Sequence, residues 1–146
     1  MIFVKRLSNG SGLDIPRRAT NGSAGFDLRS AEDITLQPTD HAVIGTGFAW
    51  EIPDQHFGLV IPRSGMGVKY GMRLRNTVGI IDQDYRGEVL ICVENDGNGP
   101  LIIRKGDAIA QMVVCPFCSY NWMTPHEVGS LTDTARGEGR FGSTGQ

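Results

Sequence analysis

Four stretches of alternating apolar residues, each cut short by a proline or a cluster of turn formers, restrict this chain to short β-strands. Residues 41–52 stop at Pro53, 57–61 at Pro62 and 107–115 at Pro116, while 88–94 run into Asn95-Asp96-Gly97-Asn98-Gly99-Pro100. Proline cannot donate to a strand ladder, and Gly, Asn and Asp supply the tight turns between strands. Several such segments within 146 residues predict a single all-β domain, a sandwich or barrel. One short helix is expected over 64–70, with Ser64 as its N-cap after Pro62 and two glycines keeping it brief. Residues 1–131 read as the barrel. Beyond them Phe141 is the one large apolar residue, so a flexible Gly-rich tail is expected over 132–146.

Charge and cysteine usage narrow the class. A net charge of −2 argues against a nucleic-acid binder that works by bulk phosphate neutralisation, while a single nucleotide needs only a few local cations. Three cysteines, Cys92, Cys115 and Cys118, do not make a disulfide framework. Cys115-Pro116-Phe117-Cys118 has only His126 close by as a further zinc ligand, and no thioredoxin-like surroundings, so a packed, reduced pair is expected. The N-terminus lacks the layout of a signal peptide, and no apolar run approaches the length of a membrane span. The expectation is a cytoplasmic protein with no membrane and no nucleic-acid partner.

Five segments carry candidate chemistry. Ala24-Gly25-Phe26-Asp27-Leu28 places one carboxylate among apolar neighbours; it is either a strand-end acid or an acid for a metal held mainly by phosphate oxygens. Pro62-Arg63-Ser64-Gly65 joins a strand to the helix, reading as a phosphate cradle or as an ordinary cap beside a solvated arginine. Asp82-Gln83-Asp84 sets two carboxylates on one face if extended, one of which could deprotonate a water; the same residues also make good turn chemistry. Gly106-Asp107-Ala108-Ile109-Ala110-Gln111 leads into the last strand. In the tail, Gly137, Gly139 and Gly142 mimic a dinucleotide fingerprint, but no helix can follow, and Ser143 stands where a P-loop needs lysine. What remains is Gly-rich backbone with Arg136, Arg140, Ser143 and Thr144 for an anion and Phe141 for stacking.

Taken in order, these segments, with the third extended over 79–88, resemble the five motifs of the trimeric dUTPase family. The resemblance implies a distorted jelly-roll or β-barrel subunit in a homotrimer, with active sites shared between subunits. It implies hydrolysis of dUTP to dUMP and pyrophosphate with Mg2+, which clears dUTP from the DNA precursor pool and supplies dUMP for thymidylate synthesis. On that resemblance Asp82 is the general base and Gln111 lies near the phosphates and the attacking water. Arg63, Ser64 and Gly65 cradle the triphosphate, and Asp27 holds the metal indirectly, through water. Asn76, Gly79, Ile80 and Ile81 read uracil, largely with backbone groups, and Tyr85 packs under the deoxyribose. Phe141 stacks on the base as a lid, Arg136, Ser143 and Thr144 contact the γ-phosphate, and Gly142 belongs to the same tail motif. Two residues depart from the family pattern: Arg140 replaces the second glycine of the fifth motif, and Phe26 a frequent tyrosine of the first.

Overall fold

The computed structural model describes residues 1–118 and 123–139. Among these residues ten strands and one α-helix follow each other in the order β1 (Phe3–Arg6), β2 (Phe26–Arg29), β3 (Ile34–Leu36), β4 (His41–Glu51), β5 (His56–Ile61), α1 (Ser64–Tyr70), β6 (Met72–Leu74), β7 (Gly79–Ile81), β8 (Glu88–Asn95), β9 (Leu101–Ile103) and β10 (Ala108–Pro116), with a single 3-10 turn at Ser8–Gly10. They pair as two four-stranded sheets, β1-β4-β8-β6 and β2-β10-β5-β7, with β3-β9 as a separate ribbon. All pairings are antiparallel. The all-β expectation with one short helix holds, and the four long strands fall within a residue of the segments bounded by proline and turn residues.

Alternation along the strands builds the core. On β8 the buried residues are Val89, Ile91, Val93 and Asn95, every second position. Leu28, Ile44, Ile91, Ile103, Ile109 and Met112 are almost wholly shielded and form one cluster with Trp50 and Val60. Each such side chain contributes about 1.5–3 kcal/mol by leaving water. Among the described residues no helix is long and apolar enough to cross a membrane.

The register of the second sheet decides what shares a face. Asp27, Gln111 and Ile61 lie side by side across β2, β10 and β5, and the next row is Phe26, Met112 and Val60. Because successive side chains point to opposite faces, Met112 enters the core while Gln111 emerges beside Asp27. Gly79 of β7 lies against Val60, Ile80 against Leu59 and Ile81 against Gly58.

Two local expectations are corrected, and one left open between two alternatives is decided for the turn. The cap of α1 is Arg63, extended at φ −96° and ψ 131°, and Ser64 is the first helical residue. Arg63 keeps extended backbone while its guanidinium reaches Asp27, and the helix begins at Ser64, one residue earlier than a Ser64 cap would start it. The helix ends at Gly71, whose φ of 66° is left-handed and suits glycine. Asp82 and Asp84 do not share an extended face: the Tyr85 N–H donates to the Asp82 carbonyl at 3.1 Å, closing a turn. The cysteines are free, as expected, but Cys118 is exposed rather than packed.

Met112 stands directly behind the row that carries Asp27 and Gln111. Met112→Ala should cost about 2–5 kcal/mol of stability, read from the urea midpoint at unchanged m.

Candidate active site

Three of the five sequence segments meet in one cleft of about 500 Å³. Its lining includes Asp27 and Gly25, Arg63 to Met66, Lys69 and Gln111. At its base the Asp27 carboxylate, only 15% exposed, is gripped from two sides: Arg63 Nε lies 3.1 Å from Oδ1 and Arg29 Nη2 3.5 Å from Oδ2. Each arginine has a second hold. Arg63 Nη1 donates to the Ala108 carbonyl at 3.2 Å, and Arg29 Nη1 to the Gly106 carbonyl at 2.7 Å. Arg63 and Lys69 line this cleft, while Arg29 grips the same acid from a separate hollow beside Lys105 and Gly106, so cations outnumber the one carboxylate on a chain whose net charge is −2. A concave surface so charged concentrates anions.

Gln111 is oriented as firmly. Its Nε2 donates to the Pro62 carbonyl at 3.0 Å, and Oε1, which accepts from no donor among the described residues, lies above Gly25, where any Cβ would stand 2.7 Å from it. Gly65 faces open space: a Cβ there meets nothing within 4 Å. Neither packing nor a positive φ calls for glycine at 65.

The third segment lies elsewhere. Ile80, Ile81, Asp82 and Tyr85 border a separate cleft of about 190 Å³ with Glu88 and Leu90. Asn76 sits exposed in the turn before β7, with its Nδ2 3.5 Å from where a Gly79 Cβ would be. Asp84 borders another hollow with Glu51, Asp54 and Arg86. Asp82 follows Ile81, and so continues past Gly58 toward Phe57, whereas Arg63 extends β5 in the other direction. Six residues of extended chain separate these ends, about 20 Å. One chain therefore does not bring Asp82 and Arg63 onto the same phosphate.

Arg136 is exposed in a turn closed by the Gly139 N–H on its carbonyl at 3.0 Å, and it is not among the described residues that line the main cleft. Phe141, Gly142, Ser143 and Thr144, with Arg140, lie outside the described residues. Sequence reasoning missed Arg29 and Lys69. Arg29 was within reach of it, since residue 29 shares a strand face with residue 27.

No group of three or more Cys, His, Asp or Glu among the described residues could cage a metal. The lone Asp27 carboxylate beside Oε1 of Gln111 fits a hydrated divalent ion that arrives on phosphate oxygens, since such an ion needs only one or two protein carboxylates.

Two packed antiparallel sheets thus carry a cleft in which arginine and lysine surround one carboxylate, a charge setting that suits an anionic ligand. The dUTPase family model matches residues 12–145. The chain is 45% identical to the deoxyuridine 5'-triphosphate nucleotidohydrolase of Rhizobium meliloti (strain 1021), over 99% of this chain and 91% of that protein. To the Anaplasma marginale (strain St. Maries) protein of the same name it is 42% identical, over 99% and 97%. Among solved structures, a mutant dUTPase of Staphylococcus bacteriophage 80alpha with dUpNHpp superposes with a TM-score of 0.84 at 31% identity, covering 100% of this chain and 99% of that one. The chain belongs to the dUTPase family.

Asp27→Asn removes the counter-charge of two arginines. Affinity for tripolyphosphate without divalent metal should rise by roughly fivefold, about 1 kcal/mol of relieved repulsion, when measured by titration calorimetry.

Proposed function

We propose that this protein hydrolyses dUTP to dUMP and pyrophosphate at sites completed between copies of the chain in a homotrimer. The observation that carries this reading is the placement of Arg63 and Asp82 at opposite ends of the β5–β7 pair in a member of the dUTPase family. A second copy that sets its β7 hairpin against the Arg63 cleft brings the two halves together.

Arg63, Ser64 and the Gly65 backbone hold the triphosphate, with the Gln111 Oε1 acceptor facing the attacking water. Asp82 takes a proton from that water as its oxygen bonds the α-phosphorus. The bond from that phosphorus to the oxygen bridging to the β-phosphate breaks, and pyrophosphate leaves with the electron pair. Because the transition state is highly charged, positioning and charge neutralisation supply most of the rate. Mg2+, held through water by Asp27, would neutralise phosphate oxygens; a related phage phi11 dUTPase was solved with a structural Mg(II) ion. Asp27 would hold the ion's water while Arg29 keeps its carboxylate in place, and Arg63, at the mouth of the same cleft, meets the phosphates.

Base choice falls to β7. It is an edge strand, paired only with β5 among the described residues, so its outer N–H and C=O groups face outward to meet a base edge. Asn76 and backbone at Gly79, Ile80 and Ile81 match uracil. Cytosine reverses the donor and acceptor at its 4-position, leaving fixed partners unpaired, which can cost roughly 10⁴ in selectivity. Tyr85 lies under the deoxyribose. The tail over 132–146, through Arg136, Phe141, Gly142, Ser143 and Thr144, closes over a neighbouring site. The protein acts on the cytoplasmic precursor pool, removing dUTP and supplying dUMP.

Pyrophosphate release should be magnesium-dependent and far greater from dUTP than from dCTP, dTTP or UTP. Asp82→Asn should lower kcat by about 10²–10⁴ with nucleotide binding retained; ammonia release from dCTP would contradict the assignment. Arg63→Ala and Asp82→Asn chains, each inactive alone, should recover part of the activity when co-expressed, because mixed assemblies contain sites with both residues intact. Absence of recovery in mixed trimers verified by mass would rule out the shared site.

A further inference from the structure

Tyr85 is 42% exposed on the edge of the cleft that holds Asp82. An exposed tyrosine in a loop ordinarily samples several rotamers, and a ring that swings cannot measure whether a sugar carries a 2′-hydroxyl. In this chain the ring is pinned. It folds back over Gly87 so closely that a Cβ there would collide with the phenol oxygen and stand 2.5 Å from Cζ and 3.0 Å from Cε2. The hydroxyl donates to the Glu88 carbonyl at 3.0 Å.

Glu88 is anchored in turn. Its Oε1 accepts the Gly47 N–H at 2.7 Å and the Asn9 Nδ2 at 2.8 Å. A Cβ on Gly45 would come within 2.6 Å of the same oxygen. The carboxylate therefore fills a notch where the β4–β8 register shifts between Gly45 and Ala49. Hydrogen bonds to an ionised acceptor are the stronger kind. A continuous chain of contacts thus runs from the β4 irregularity through Glu88 to the Tyr85 ring, and the Tyr85 N–H bond to the Asp82 carbonyl joins the backbones of the two residues in one turn.

We propose that Gly87 and Glu88 are positioning residues for sugar selection: Gly87 is the seat on which the Tyr85 ring rests, and Glu88 fixes that seat to the β4 notch. The proposal rests on the reading that Tyr85 underlies the deoxyribose. A methyl group at 87 lifts the ring toward the sugar, and loss of the Glu88 carboxylate lets the seat move; either change blurs the distinction between deoxyribose and ribose.

The test is steady-state kinetics of the full-length assembled protein on dUTP and UTP, with thermal melting as a control for folding. Gly87→Ala should reduce the ratio of kcat/KM for dUTP over UTP by roughly tenfold or more, chiefly through the KM for dUTP. Glu88→Ala should lower the ratio less, and Glu88→Gln, which keeps an acceptor oxygen, should restore it. If Gly87→Ala does not fold, Tyr85→Phe, which keeps the ring and loses the tether, should lower the ratio by itself. Folded variants with an unchanged ratio, or with equal losses on both nucleotides, overturn the proposal. A wild-type protein that fails to prefer dUTP overturns the functional reading instead, and the proposal falls with it.

Discussion

The Asp27 carboxylate, held between Arg63 and Arg29, is the contact on which the geometry of the main cleft depends. Each guanidinium grips it with one nitrogen and a carbonyl of the segment entering β10 with another. Three stretches far apart in sequence are thereby fixed to one another at the floor of a shallow concavity. The arrangement is wet enough that its net stabilisation is small, since partly exposed ion pairs contribute little to folding. Its effect is positional: it fixes Arg63, which lines the cleft, and leaves the Asp27 carboxylate with Arg29 as a second partner.

The same sheet explains why the site is divided. β5 ends at the phosphate-cradle segment, and β7 runs back along it, so the turn after β7 leaves at the far end. No adjustment of loops carries Asp82 across about 20 Å of strand. Antiparallel pairing thus gives each chain two separate surfaces, a cleft lined by Arg63 and Lys69 and, at the far end of β5, a second cleft lined by Ile80, Ile81 and Asp82.

How much was legible beforehand can be judged from particular residues. The long strands were readable because proline and turn clusters bound them. The three-residue strands β3, β6, β7 and β9 were not, since three residues are too few for a period to register. Ser64 looked like a cap because its type and place suit one, yet Arg63 took that position on account of contacts with Asp27 and Ala108, which lie far away in sequence. Asp82 and Asp84 share a face only on extended backbone, and composition suits a turn equally well; the hydrogen bond from the Tyr85 N–H to the Asp82 carbonyl decides for the turn. Lys69 carried no signal, because whether a helical side chain faces a cleft depends on where the helix is docked.

By itself the sequence determined the all-β class, the position of the helix and the family, because alternation, turn chemistry and ordered motifs are local properties of the chain. The tertiary structure decided which of those motifs meet. Strand register placed Gln111 beside Asp27 and hid Met112 behind it. Antiparallel pairing sent Asp82 away from Arg63, and the β4 notch fixed Glu88 under the seat of Tyr85. These are consequences of contacts between residues distant in sequence, and no local pattern encodes them.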